Sequence, residues 1–116
     1  NTAAWLLNNR ASIERRDDHL ELALQYRQEA LRLLEQRYGP DSIRITNYLH
    51  GTGIIFEQLD RHEEAKRAYE RTKDIRERVY GEGHVRVAPA IAGLAAVNKN
   101  VDIQFAGQDN NSSKIK

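Results

Sequence analysis

The chain has 116 residues, 40% of them hydrophobic, with 18 basic against 17 acidic side chains and no cysteine. That is one domain's worth of chain, and a mean hydropathy of −0.74 suits an elongated core better than a thick globule. The absence of cysteine excludes a disulfide framework and thiol chemistry, the balanced charge argues against a nucleic-acid partner, and the longest apolar stretch, residues 91–97, is too short to span a bilayer.

The first helix is predicted from about Thr2 to Arg16, before a turn at Asp17-Asp18. Asp18 with Glu21 three residues on has the form of a capping box, and Leu20, Ala23, Tyr26, Ala30 and Leu33 then recur at helical steps. Gly39-Pro40 stops this second helix. Asp41 or Ser42 caps a third, running through Tyr48, Leu49, Ile55 and Phe56 to Leu59, where Asp60 with Glu63 repeats the capping box. A fourth spans about Arg61 to Val79 and ends at Gly81-Glu82-Gly83. A fifth is expected from near His84 to about Asn100, with Pro89 in its first turns and Val87, Ile91 and Leu94 as one stripe. Pairs such as Glu57/Arg61, Glu63/Arg67 and Asp74/Arg78 have the favourable i,i+4 order of solvated helix faces.

Tyr38-Gly39-Pro40-Asp41 recurs in outline as Tyr80-Gly81-Glu82-Gly83, and the same 42-residue offset makes Leu7/Leu49, Ile13/Ile55, Asp18/Asp60, Glu21/Glu63, Ala23/Ala65 and Glu35/Glu77 identical. A period of this size means stacked helical hairpins. The expected fold is therefore all-α, a right-handed superhelical stack of antiparallel hairpins with about five helices. Residues 1–100 form the repeat domain, in units of about 2–43, 44–85 and a partial 86–100. Residues 101–116 are expected to be a disordered tail, because the stretch beyond Gly107 has one apolar residue to offset ordering entropy. Without its second helix the third unit would leave Val87, Ile91 and Leu94 uncovered, which invites either self-association or docking of residues 101–105 onto this face. The start at Asn1, with no basic leader and no methionine in the chain, reads as a piece of a longer protein.

Chemistry is sparse. His19, His50, His62 and His84 never stand at the i,i+4 spacing of a helical zinc pair, so no metal or other cofactor is expected. Ser12, Ser42, Ser112 and Ser113 lack a base and an orienting group, so no enzymatic activity is expected. Gly51-Thr52-Gly53 lies inside a helix and reads as close packing at Gly53 rather than a phosphate loop.

The residues resemble tetratricopeptide repeats, in the longer variety of kinesin light chains. Leu7-Asn8-Asn9-Arg10-Ala11 is similar to that group's first-helix signature. Ile75 to Gly81, with His84 and Val87-Ala88, is similar to its second-helix ending and loop, and Ala23, Ala30 and Ala65 take the small-residue positions. Arg10, Glu14 and Arg27 stand where large apolar residues are usual, Thr52 and Thr72 where Leu and Ala are, and Ile43 and Val85 replace a loop proline. These departures make the first unit a degenerate or terminal one, its charged side chains reaching solvent.

In such a stack the first helices line the concave wall. The groove face then reads Trp5, Asn8, Ser12 and Arg15, followed by Asn47, His50, Ile54 and Glu57 one period on, and by Pro89, Ala92, Ala96 and Lys99. The resemblance implies that Asn8 and Asn9 reach the backbone of an extended peptide, while Arg15 and Arg16 could hold a carboxylate. The function expected is a non-catalytic scaffold or adaptor module, cytoplasmic, binding a protein or peptide with no membrane and no nucleic acid. A regulatory domain of a larger enzyme or ATPase, and an RNA-binding helical repeat, are the alternatives.

Overall fold

The computed structural model describes the backbone of residues 2–115 and the side chains of residues 2–101. Five α-helices follow one another: α1 (Thr2–Arg16), α2 (Leu20–Tyr38), α3 (Thr46–Gln58), α4 (His62–Tyr80) and α5 (Ala88–Ile115), with a 3-10 turn, Ile43–Ile45, ahead of α3. Among the described residues there is no strand. α1 packs on α2 and α3 on α4, α2 against α3 joins the two hairpins, and α5 lies on α4.

The turns inside the hairpins differ from the capping-box reading. Asp18 and Asp60 take positive φ, 65° and 59°. Each closes the helix before it: Asp18 N–H donates to Arg15 O and His19 N–H to Glu14 O at 3.1 and 2.7 Å, repeated by Asp60 to Glu57 and Arg61 to Phe56 at 3.0 and 2.8 Å. This is a Schellman closure with aspartate in the left-handed position, which its short side chain tolerates better than most. The next helix starts without a side-chain cap at His19 or Arg61. Glu21 and Glu63 instead lie in first turns, where their charge favours the helix dipole.

The turns between hairpins behave as expected. Gly39 and Gly81 sit at φ 91° and 94° with extended ψ, a region open essentially to glycine, and each N–H reaches back to Glu35 or Glu77 O at 2.8 Å. Ser42 caps the 3-10 turn, its Oγ accepting from Arg44 N–H at 3.1 Å. α5 starts later than expected, at Ala88, because residues 84–88 form tight turns through Val87 N–H to His84 O and Ala88 N–H to Val85 O.

Two cores hold the stack. One gathers Ala23, Leu24, Ile55, Phe56, Ala65, Tyr69 and Val97, with Leu94 and Val101 packed against it. The other gathers Ala4, Ala30, Leu34, Ile45, Leu49 and Ile75. The expected uncovered stripe is therefore mostly covered: Val87 is 0% exposed and Leu94 is part of the first core, leaving Ile91 out. The helix also runs through Asn100 without the expected break, since Val101 gains apolar contacts by continuing it. Apart from Val101, the side chains of the expected tail lie outside those described. Among the described residues no helix is long and apolar enough to cross a membrane.

Glu14 does not reach solvent. It is buried, accepting from His19 Nδ1 at 2.7 Å and pairing with Arg10 at 3.0 Å, which makes a carboxylate tolerable where the second hairpin has Phe56. Arg27 likewise turns inward.

Candidate interaction face

The two first helices of the complete hairpins, α1 and α3, carry the residues expected to line a groove. Trp5 is exposed at the start of α1. Asn8 and Asn9 are half-buried, and Asn8 Oδ1 is shielded from solvent without a hydrogen-bond partner. Ser12 spends its hydroxyl on its own helix, donating to Asn8 O at 3.2 Å. Arg15 donates from Nε to Gln58 Oε1 at 2.9 Å, tying the end of α1 to the end of α3. Ile54 packs against the first core and Glu57 is half-buried beside Tyr69.

These residues do not form one continuous row. Ser12 and Arg15 line a recess of about 380 Å³ with Arg16 and Gln58. Asn47 and His50 line a larger cleft of about 630 Å³, walled by Ile43 and Thr46 from the start of the hairpin, Arg76 and Tyr80 from α4, and Val85, Arg86 and Pro89 from the approach to α5. The charge expected at Arg15 is thus accompanied by Arg76 and Arg86 in the larger cleft.

Local structure fixes this cleft. Arg76, 8% exposed, donates from Nη2 to Asn47 Oδ1 at 3.0 Å and from Nη1 to Arg86 O at 3.2 Å, joining α3, α4 and the loop before α5. With its oxygen engaged, the Asn47 amide keeps its two N–H donors for another group. Tyr80 stacks on His84 with ring centroids 4.8 Å apart, and Arg86 lies over the Tyr80 ring at 5.5 Å, which shapes the loop wall.

His50 is pushed below the ordinary histidine range by burial, then by the charges of Arg76 and Arg27, so its ring is neutral near pH 7. Its Nδ1 is shielded without a partner, and its ring tilts on Tyr69 at 5.3 Å. Tyr69 is pushed well up, first by burial and then by the Glu57 carboxylate. The larger cleft itself, lined by Asn47, His50, Arg76 and Arg86 among others, is rich in donors and has no acidic residue in its lining.

Sequence reading missed Arg76, Arg86 and Tyr69 as parts of this face. One signal was available: at the 42-residue offset Arg76 falls on Leu34, a cation where the other repeat has a core residue.

The tetratricopeptide repeat family model matches residues 2–78. The crystal structure of BtubC (BKLC) from P. vanneervenii superposes with a TM-score of 0.76 at 21% identity, covering 84% of this chain and 38% of that one. The chain thus spans well under half the length of that protein. No curated protein sequence matches the chain. Paired helices at a 42-residue period, glycine-closed connections and a family match over more than half the residues agree, and the chain belongs to the tetratricopeptide repeat family.

Proposed function

We propose that this chain is a non-catalytic interaction module that holds a peptide or a helix of a partner protein on the face of its first helices, as part of a scaffold or adaptor. Tetratricopeptide repeats in general mediate protein–protein interactions. The observation that carries the finer reading is the cleft of about 630 Å³, where Asn47 offers amide donors and Ile43, Val85 and Pro89 offer apolar walls. Extended peptides are recognised by that mixture: donors for backbone carbonyls and shallow apolar pockets for side chains.

The test is site-directed photocrosslinking in extract of the source cells. A crosslinker replacing Asn47 should trap a discrete protein, and the same group replacing Arg32 on α2 should not. Trapping from Arg32 alone, or recovery of RNA from Asn47, would contradict the reading.

A further inference from the structure

α1 and α3 are each covered by the helix that follows them. α1, which packs mainly on α2, buries Ala4, Ala11 and Glu14. The equivalent residues of α3, Thr46, Gly53 and Phe56, are buried as well, and Gly53 lies directly against Tyr69 of α4. One further step of 42 residues gives Ala88, Ala95 and Asn98 on α5, with Ile91 in the place of Leu49, and all four are exposed. In the sequence Val101-Asp102 takes the place of Leu59-Asp60, where α3 ends. α5 nevertheless runs on to Ile115, so the segment that supplies a second helix in the earlier units is carried away from this face.

The first two hairpins show what such a second helix also touches. Arg61 and Arg71 at the start and middle of α4 reach back to Glu21 and Glu35 of α2, at 4.0 and 2.9 Å. Those two glutamates recur as Glu63 and Glu77 on α4, with Glu70 midway between them where α2 has Gln28, and the even spacing puts all three on one stripe of the helix. Lys66 and Lys73 interleave with them in place of Leu24 and Leu31, and Lys73 pairs with Glu77 at 2.9 Å. Glu63 and Glu70 are exposed, and among the described residues neither has an ion pair.

We infer that the edge formed by α4 and α5 is a docking face for one amphipathic helix of a partner protein, which turns basic residues towards Glu63 and Glu77 and small apolar residues towards Ala88, Ile91 and Ala95. The occupant lies where the second helix of a third hairpin would, and repeats the contacts that α4 makes with α2 and α3. Residues 103–115 are unsuited to the place, because Ile103 and Ser113 stand at the positions of Arg61 and Arg71 and the segment continues α5. Ala95 adds a restriction. A Cβ on Gly53 would come within 2.8 Å of the Tyr69 ring, so with alanine at the equivalent position the occupant carries a smaller side chain there. This face lies apart from the cleft around Asn47, and failure of either reading leaves the other standing.

The experiment titrates the isotope-labelled full chain with a synthetic peptide of residues 61–80 carrying Tyr69→Ala, following backbone amide signals by NMR. Saturable shifts are expected at Glu63, Glu70 and Glu77 and from Ala88 to Ala95, with a dissociation constant of roughly 0.1–1 mM. The peptide that also carries Arg61→Glu and Arg71→Glu should bind about fivefold more weakly, as two exposed ion pairs allow, and a chain with Glu63→Arg and Glu77→Arg should restore it. Ile91→Asp in the chain should weaken the first peptide about tenfold while circular dichroism keeps its helical signal. No saturation, shifts spread through both cores as exchange with the chain's own α4 would give, or charge reversal without effect overturns the docking face. Sedimentation of the chain alone should show a monomer; a dimer that Ile91→Asp dissolves would give the face to a second copy and overturn the partner helix.

Discussion

Gly53 and Tyr69 meet so closely that a Cβ added to the glycine would lie 2.8 Å from Cε1 of the ring. A Cβ on Gly93 would meet the same ring at 2.8 Å, so Tyr69 is clamped between α3 and α5. Gly51 and Arg27 make the matching contact one repeat earlier, but there the obstacle is the end of a flexible side chain. Gly53→Ala and Gly93→Ala should therefore each lower stability, because overpacking a rigid buried ring costs about 1–3 kcal/mol and outweighs the roughly 1 kcal/mol that alanine adds to a helix. Gly51→Ala should cost less than either. Urea unfolding of the three variants is the check, and a stabilised Gly53→Ala would contradict the clamp.

Aspartate in the left-handed position makes a second expectation. Asp60→Gly should raise stability by about 0.5–1 kcal/mol, since glycine adopts that conformation without the Cβ clash. Asp60→Val should lower it by about 1–2 kcal/mol. A capping box would give the opposite sign for glycine, so thermal melts of the pair separate the two roles.

How far the sequence could be read depends on which interaction each residue makes. Gly39 and Gly81 announced the turns between hairpins because their conformation excludes other residues, and Ala23, Ala30 and Ala65 announced close helix contacts because only small side chains fit there. Asp18 misled because aspartate serves equally at a helix start and in a left-handed turn; only the backbone bonds from Asp18 and His19 decide between them. Helical periodicity put Asn47 and His50 on one face, and the structure has both lining the larger cleft, whereas Asn8 lies outside it. Arg76 was not legible in this way, because it lies on the second helix of its hairpin, away from the first-helix face, and only comparison with Leu34 at the 42-residue offset marks it as a cation in a core position. The later start of α5 rests on Val87 and Ala88 turning back onto His84 and Val85, contacts too irregular for a periodic pattern to anticipate.

His50 gives stability a pH dependence of known sign. Its folded pKa lies below its ordinary value, so the unfolded chain takes up the proton first as pH falls. The contribution is full above the usual histidine range and declines as pH drops below about 6.5. Melting temperatures compared at pH about 7.5 and about 5.5 should fall further for the parent chain than for His50→Gln. An equal fall in both would remove His50 from the account.

Val101 gives the continuation of α5 a measurable consequence. Its side chain is half-buried against the first core, so ending the chain after Asn100 should lower stability by roughly 1 kcal/mol from this contact. Val101→Asp in the full chain should do at least as much. Denaturant unfolding that shows no change in either would contradict the packing of α5 beyond Asn100.

A crystal structure of the full chain with a peptide selected on it from a random display library decides whether a partner is held on the first-helix face. The peptide backbone should lie in the cleft between Asn47, Arg76 and Pro89, with an acceptor from it on the Asn47 amide, and Asn47→Ala should lose binding. A peptide bound instead along α2 and α4 around Arg32 and Lys73, with affinity untouched by Asn47→Ala, would contradict that placement.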